Sequence, residues 1–157
     1  MAIANKKDPN KKPPEISRAQ IAYVTLLRTA DRLRNSFEKL YAPFEITSQQ
    51  YNVLRILRGA EPEGLPTLTI AERMIERAPG ITRFVDRLEA NGLLTREIPP
   101  EDRRCVRCRI TGKGLKILAS LDEPVEKLNG DNLRRLTAAE IEQLIKLLEK
   151  MQETHDS

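Results

Sequence analysis

Apolar residues recur at Ile16, Ala19, Tyr23, Leu26, Ala30, Leu33, Phe37 and Leu40, at spacings that alternate between three and four. That spacing is one face of a helix with a period of about 3.5 residues. It predicts a long helix over 15–43, closed by Pro43. At about 1.5 Å per residue the helix would reach roughly 40 Å. It is too long to bury its stripe against one small domain, so a helix from a second subunit is the expected partner. A second helix is predicted from Thr47, which can cap it, to about Gly59, with Tyr51, Leu54, Ile56 and Leu57 inward. The following GAEPEGLP segment reads as a loop.

Further along, Thr69 and Glu72 fit a capping box, so a short helix is expected over 69–76 with Ile70, Met74 and Ile75 inward. Pro79 suits the first position of another helix, whose inward stripe is Ile81, Phe84 or Val85, and Leu88. Asn91-Gly92 ends it through a left-handed glycine. Segments 93–98 and 105–111 read as strands around the turn cluster Pro99-Pro100-Glu101-Asp102, giving a hairpin with a charged tip. Gly112 and Gly114 precede a helix carrying Leu115, Leu118, Leu121, Val125 and Leu128, with an interruption expected at Asn129-Gly130-Asp131. A second capping box, Thr137 with Glu140, opens a final helix with Ile141, Leu144, Leu148 and Met151 on one face.

The fold class that follows is mainly α with a small β-hairpin wing. Short helix, tight turn, helix, hairpin is the winged helix-turn-helix order, which puts one helix into a DNA major groove and a hairpin beside it. The expected organisation is a flexible basic tail at 1–14, a winged helix-turn-helix domain at 45–114, and dimerisation helices at 15–44 and 115–157.

Composition narrows the field. Aromatics are 4% of the 157 residues and Trp is absent, so the core must rest on Leu, Ile, Val and Ala. There is no apolar run of about 18 residues to span a membrane, and the polar N-terminus lacks the apolar region of a secretory signal. Two cysteines cannot build a disulfide scaffold, so a reduced, cytoplasmic protein is expected. The one histidine, His155, leaves most histidine catalysis and zinc chemistry without parts. No G-x-S-x-G, G-x-x-x-x-G-K or H-E-x-x-H motif occurs. Neither an enzyme nor a cofactor is expected.

The net charge of +4 is unevenly spread: +3 over 1–14, +1 over 15–69, +3 over 70–113, 0 over 114–136 and −3 over 137–157. Nine arginines and one lysine stand against seven acids in 70–113, and they recur on both elements that should face DNA. On the candidate recognition helix the outward residues are Gly80, Thr82, Arg83, Asp86 and Arg87. Gly80 leaves room for close approach, and an arginine can grip guanine O6 and N7. At the hairpin tip Arg103 and Arg104 suit a narrow minor groove, with Asp102 orienting Arg104. Thr69, Arg77 and Lys113 are candidate phosphate contacts.

The run PGITRFVDRLEANGLLTREIPPEDRRCVRCRITGKG over 79–114 resembles the signature of the MarR family of bacterial transcription regulators. The resemblance rests on Thr82-Arg83, Asp86-Arg87-Leu88-Glu89, Gly92-Leu93, Asp102-Arg103-Arg104, and Ile110-Thr111 with Gly114, and extends more weakly over 18–153. It implies a homodimer with interlocked terminal helices that binds a pseudo-palindrome on double-stranded DNA, usually as a repressor. It implies release by a small phenolic or lipophilic anion, or in other members by cysteine oxidation. By position, Thr82, Arg83 and Arg87 would enter the major groove, and Arg104, braced by Asp102, the minor groove. The turn Ile75-Glu76-Arg77-Ala78 departs from the family pattern in being one residue longer.

Where such an effector would sit, the resemblance points to Tyr23, Leu27, Phe44, Tyr51 and Arg55, though aromatic residues also serve simply as core. Cys105 and Cys108 form C-x-x-C on a predicted strand, where side chains three apart face opposite ways. They read as structural thiols, with oxidant sensing by Cys105 beside Arg104 as the sharper alternative. A winged-helix architectural or protein-recruiting factor without ligand control is the competing reading.

Overall fold

The computed structural model describes residues 15–76, 79–98 and 106–153. The chain divides into two units, 1–32 and 33–157. In the first, the described residues form the start of helix α1 (Arg18–Tyr41), where the Gln20 N–H donates to Ser17 Oγ at 3.1 Å. Its apolar side chains stand open, with Ile16 62%, Tyr23 61% and Leu27 50% exposed.

In the second unit α1 ends at Tyr41, just before Pro43, and a 3-10 turn (Ala42–Phe44) follows. Helix α2 (Ser48–Arg58) opens on a full capping box. Gln50 N–H donates to Thr47 Oγ1 at 3.2 Å, and Thr47 N–H donates back to Gln50 Oε1 at 3.0 Å. Two orphan amides of the first turn are thereby satisfied.

Helix α2 runs through the middle of the core. Its Val53, Leu54 and Leu57 pack with Ile70, Val85, Leu88, Leu93, Leu94, Cys108, Leu118 and Leu121, all essentially without solvent contact. Each such side chain contributes about 1.5–3 kcal/mol by leaving water. Arg58 adds a two-pronged ion pair to Asp122, at 2.9 and 3.0 Å.

Several boundaries differ from expectation. Helix α3 is Thr67–Arg73, and Pro66 stands at its cap without a side-chain bond. Thr69 therefore lies inside the first turn and forms no capping box with Glu72. A proline fixed at φ −60° and ψ 148° enters the helix earlier than the Thr/Glu spacing indicates. Helix α5 runs unbroken over Gly112–Leu133, through Pro124 and Asn129-Gly130-Asp131. Asn and Gly are at most about 1 kcal/mol poorer than alanine in a helix, which does not stop one anchored by buried Leu118 and Leu121. It also starts earlier, with Thr111 Oγ1 accepting from Gly114 N–H at 3.2 Å. Helix α6 (Ala138–Glu153) begins at the expected capping box, Glu140 N–H donating to Thr137 Oγ1 at 3.3 Å and Thr137 N–H to Glu140 Oε2 at 2.8 Å.

The expected hairpin strands are β2 (Leu94–Glu97) and β3 (Arg107–Ile110), antiparallel with Leu94 opposite Ile110 and Arg96 opposite Cys108. A third strand, β1 (Leu65–Pro66), pairs with the other side of β3, so the sheet order is β1-β3-β2. Two residues are too few to show alternation, which is why the sequence pattern misses it. Gly64 brings the chain onto β3: at φ +67° it sits where a Cβ would meet Cys108 O at 2.5 Å.

Candidate nucleic-acid interface

Helix α4 (Ile81–Ala90) is the candidate recognition helix. It starts at Ile81 with Gly80 at the cap, two residues later than Pro79 indicated. Val85 and Leu88 are fully buried, with Ile81 and Phe84 half-buried beside them. The opposite face presents Thr82, Arg83, Asp86 and Arg87 to solvent. This is the split the sequence pattern called for. Its end is a glycine cap: Gly92 has φ +70°, its N–H donates to Glu89 O at 2.8 Å, and Leu93 N–H donates to Leu88 O at 2.8 Å. The cap turns the chain directly into β2, so helix and wing share one rigid corner.

Arg96 on β2 organises that corner, and the sequence reading did not single it out. Its guanidinium donates to Glu89 Oε2 at 2.6 Å and also to Asp86 Oδ1. Its backbone N–H donates to Glu89 Oε1 at 3.2 Å. The hydrogen bond to Asp86 above all, with the negative charge of both acids, holds its pKa above the ordinary arginine value. The Arg96 guanidinium on β2 therefore offsets the negative charge of both Asp86 and Glu89. Arg83 and Arg87 form no ion pair among the described residues, and together with Gly80 and Phe84 they line a shallow cleft on α4. The available signal for Arg96 was its place two residues past Leu94, opposite acids three apart on α4.

The remaining basic groups have mixed duties. Lys113 is exposed and its ammonium donates to Asn91 O at 2.8 Å, just past the end of α4. Arg109 pairs with Glu97 at 3.0 Å, and that contact raises its pKa. Thr69 is half-buried on α3. The expectations for Arg77, Asp102, Arg103, Arg104 and Cys105 fall on residues outside those described. Cys108 is a fully buried free thiol facing Thr67 Oγ1 at 3.7 Å, a packing position shut off from solvent.

Elsewhere in this unit a partly open cavity of about 280 Å³ is bounded by Phe37, Tyr41, Ser48, Tyr51, Asn52, Arg55, Ile75, Val125 and Asn129. Of the residues expected at an effector pocket, Tyr51 and Arg55 line it. Phe44 packs against the core instead, and Tyr23 and Leu27 belong to the first unit, where both are exposed. Sequence reading missed Tyr41, Ser48 and Asn52. Tyr41 and Tyr51 stack with ring centres 4.5 Å apart, and the Arg55 guanidinium lies 6.0 Å from the Tyr51 ring centre. Burial is the main cause that pushes both phenols above their ordinary pKa. Ser48 Oγ is buried with no hydrogen-bond partner among the described residues. The described residues contain no cluster of metal-binding side chains and no helix long and apolar enough to cross a membrane.

Residues 46–106 match the profile of the MarR family. Among solved structures, a MarR transcription factor from Planctomyces limnophilus is 45% identical, with 87% of this chain and 98% of that chain covered and a TM-score of 0.67. The PcaV transcriptional regulator from Streptomyces coelicolor, solved in complex with its natural ligand, is 33% identical over 79% of this chain and 89% of that one, with a TM-score of 0.65. The S. aureus MepR–DNA complex is 20% identical, covering 89% and 99%, and shares the fold with a TM-score of 0.75.

Proposed function

This chain belongs to the MarR family of transcription regulators, and from that premise we propose that it acts in the cytoplasm as a homodimeric repressor. Its operator is a pseudo-palindrome on double-stranded DNA. The observation that carries the reading is the charge sorting on α4. Among the described residues Arg83 and Arg87 form no ion pair on the exposed face, while Asp86 and Glu89 are paired with Arg96. Thr82, Arg83 and Arg87 read base edges in the major groove. Arg103 and Arg104 follow the wing into the minor groove with Asp102 as brace, and Thr69, Arg77 and Lys113 meet phosphate. The open apolar residues of α1 support pairing with a second copy. An isologous dimer imposes its two-fold symmetry on the DNA site.

The cavity supports control by a small aromatic anion. A ring fits against Tyr51, Arg55 supplies positive charge, and Ser48 Oγ has hydrogen-bonding capacity to spare. The ligand-bound PcaV structure lends weight to this reading.

Selection from random duplex DNA tests the DNA half. The regulator should enrich one inverted repeat of roughly 16–20 base pairs, its half-sites about one helical turn apart. Enrichment of A·T content alone would favour an architectural factor. A thermal-stability screen across aromatic acids tests the effector half, and flat curves throughout would count against it.

A further inference from the structure

The cavity and the turn leading to α4 share a residue. Asn52 lines the cavity. Its Oδ1 also accepts a 3.1 Å hydrogen bond from the backbone N–H of Ile75, just past the end of α3. Packing does not hold Ile75 in place, because it is 86% exposed. Next along the chain, Glu76 is tied by Arg34 at 2.6 Å and by Gln49 at 3.4 Å. Gln49 and Asn52 lie one helical turn apart on α2, so a single face of α2 reaches successive residues of the turn. Met74, buried in the core, brings the chain to this turn, and polar contacts hold the two residues that follow it. Ile75 itself lines the cavity, so an occupant that covers it acts directly on the turn.

We infer that Asn52 is the positioning residue through which occupancy of this cavity moves the recognition helix. A ring seated against Tyr51, with a polar group competing for the Asn52 amide, releases the Ile75 N–H. The turn then loses one of its anchors, and α4 loses its fixed orientation. The inference rests on reading the chain as a DNA-binding regulator, but its test does not require the natural effector to be known.

Occupancy can be imposed covalently. Asn129 is exposed and lines the cavity. An Asn129→Cys variant, in a Cys105→Ser, Cys108→Ala background, can be labelled there with benzyl methanethiosulfonate. With Asn52 intact, labelling should weaken binding to the selected operator by about tenfold, within the usual range of coupling between sites. Asn52→Asp keeps an acceptor oxygen and should keep the response. Asn52→Leu keeps the bulk without the acceptor, and its response should shrink to about twofold or less. Equal weakening in the Asn52 and Asn52→Leu proteins would overturn the inference, as would no weakening in either.

Hydrogen exchange at the Ile75 amide gives a second readout that needs no DNA. Labelling should speed exchange when Asn52 or its Asp replacement is present and change little in Asn52→Leu. Unchanged exchange in the labelled Asn52 protein would again refute the coupling. Failure to bind any duplex would instead refute the regulator reading, leaving the exchange experiment to decide the role of Asn52.

Discussion

Arg96 offers the sharpest test of how the corner between α4 and β2 is built. Replacing it with Met keeps the apolar stem and removes the guanidinium. Two ion pairs are lost, to Asp86 and to Glu89. In a dry site each charge-assisted bond would contribute about 1.5–3 kcal/mol. Here Asp86 is 56% and Glu89 38% exposed at the side chain, so solvent screening applies. Exposed pairs contribute about 0.2–1 kcal/mol each, which gives a total loss near 1 kcal/mol. In a chain of this size that lowers Tm by about 2–4 °C.

The consequence for DNA should be larger than for folding. If α4 is the helix that meets DNA, as proposed, Arg96→Met leaves Asp86 uncompensated on its exposed face and Glu89 uncompensated beside it. Operator binding at low salt should weaken by about tenfold, or about 1.4 kcal/mol. Fluorescence anisotropy on labelled operator measures this. The decisive comparison is a double-mutant cycle. Asp86→Asn with Glu89→Gln should strengthen binding markedly in the Arg96→Met background and little in the parent. The same gain in both backgrounds would mean only total charge matters, and the neutralising role of Arg96 would be wrong.

Other outcomes follow from contact type. Gly114→Ala should destabilise by about 1–3 kcal/mol, because its Cβ would meet Leu93 O at 2.5 Å and Ile110 Cγ1 at 2.7 Å. Gly130→Ala has nothing within 4 Å and should instead stabilise by roughly 0.5–1 kcal/mol; thermal melts that rank the two the other way would refute the packing argument. Arg83→Ala should relax base preference at one position per half-site in a selection experiment, whereas Arg104→Ala should weaken binding more uniformly and flatten its salt dependence. An Arg104→Ala protein that binds like wild type at two salt concentrations would sink the wing assignment. Tyr41 and Tyr51 have raised pKa values, so the stability they contribute is full below the ordinary phenol value of 10.0 and is lost as pH rises through their higher folded values. Tyrosinate absorbance and ellipticity should therefore change together for these two residues in strong alkali. Complete ionisation of a still-folded protein would contradict their burial.

Much of this molecule was legible in the order of its residues. Helical period placed α2, α4 and α6, alternation placed β2 and β3, and a local cap at Thr137 marked where α6 begins. The inward stripe of α4 fixed its outward one, so Thr82, Arg83 and Arg87 could be named before any coordinates. These are short-range properties, set by backbone geometry and by neighbours within one turn. The misread boundaries show the limit. Asn129-Gly130-Asp131 is a local stop signal, yet α5 continues because its first half is already anchored by core contacts from distant parts of the chain.

Only the tertiary structure decided which charges are available. In sequence, Asp86 belongs to the exposed face of α4 as fully as Arg87 does. The fold brings Arg96 across from β2, where its guanidinium pairs with Asp86, which stays exposed, and with Glu89 beside it. In the same way Tyr51 and Arg55 suggested a pocket, but further polar members, Ser48 and Asn52 among them, became visible only in the folded chain. Periodicity tells a side chain which way to face. It cannot say which partner arrives from elsewhere in the chain, because a Coulombic or hydrogen-bonded contact depends on distance in space and not on separation in sequence.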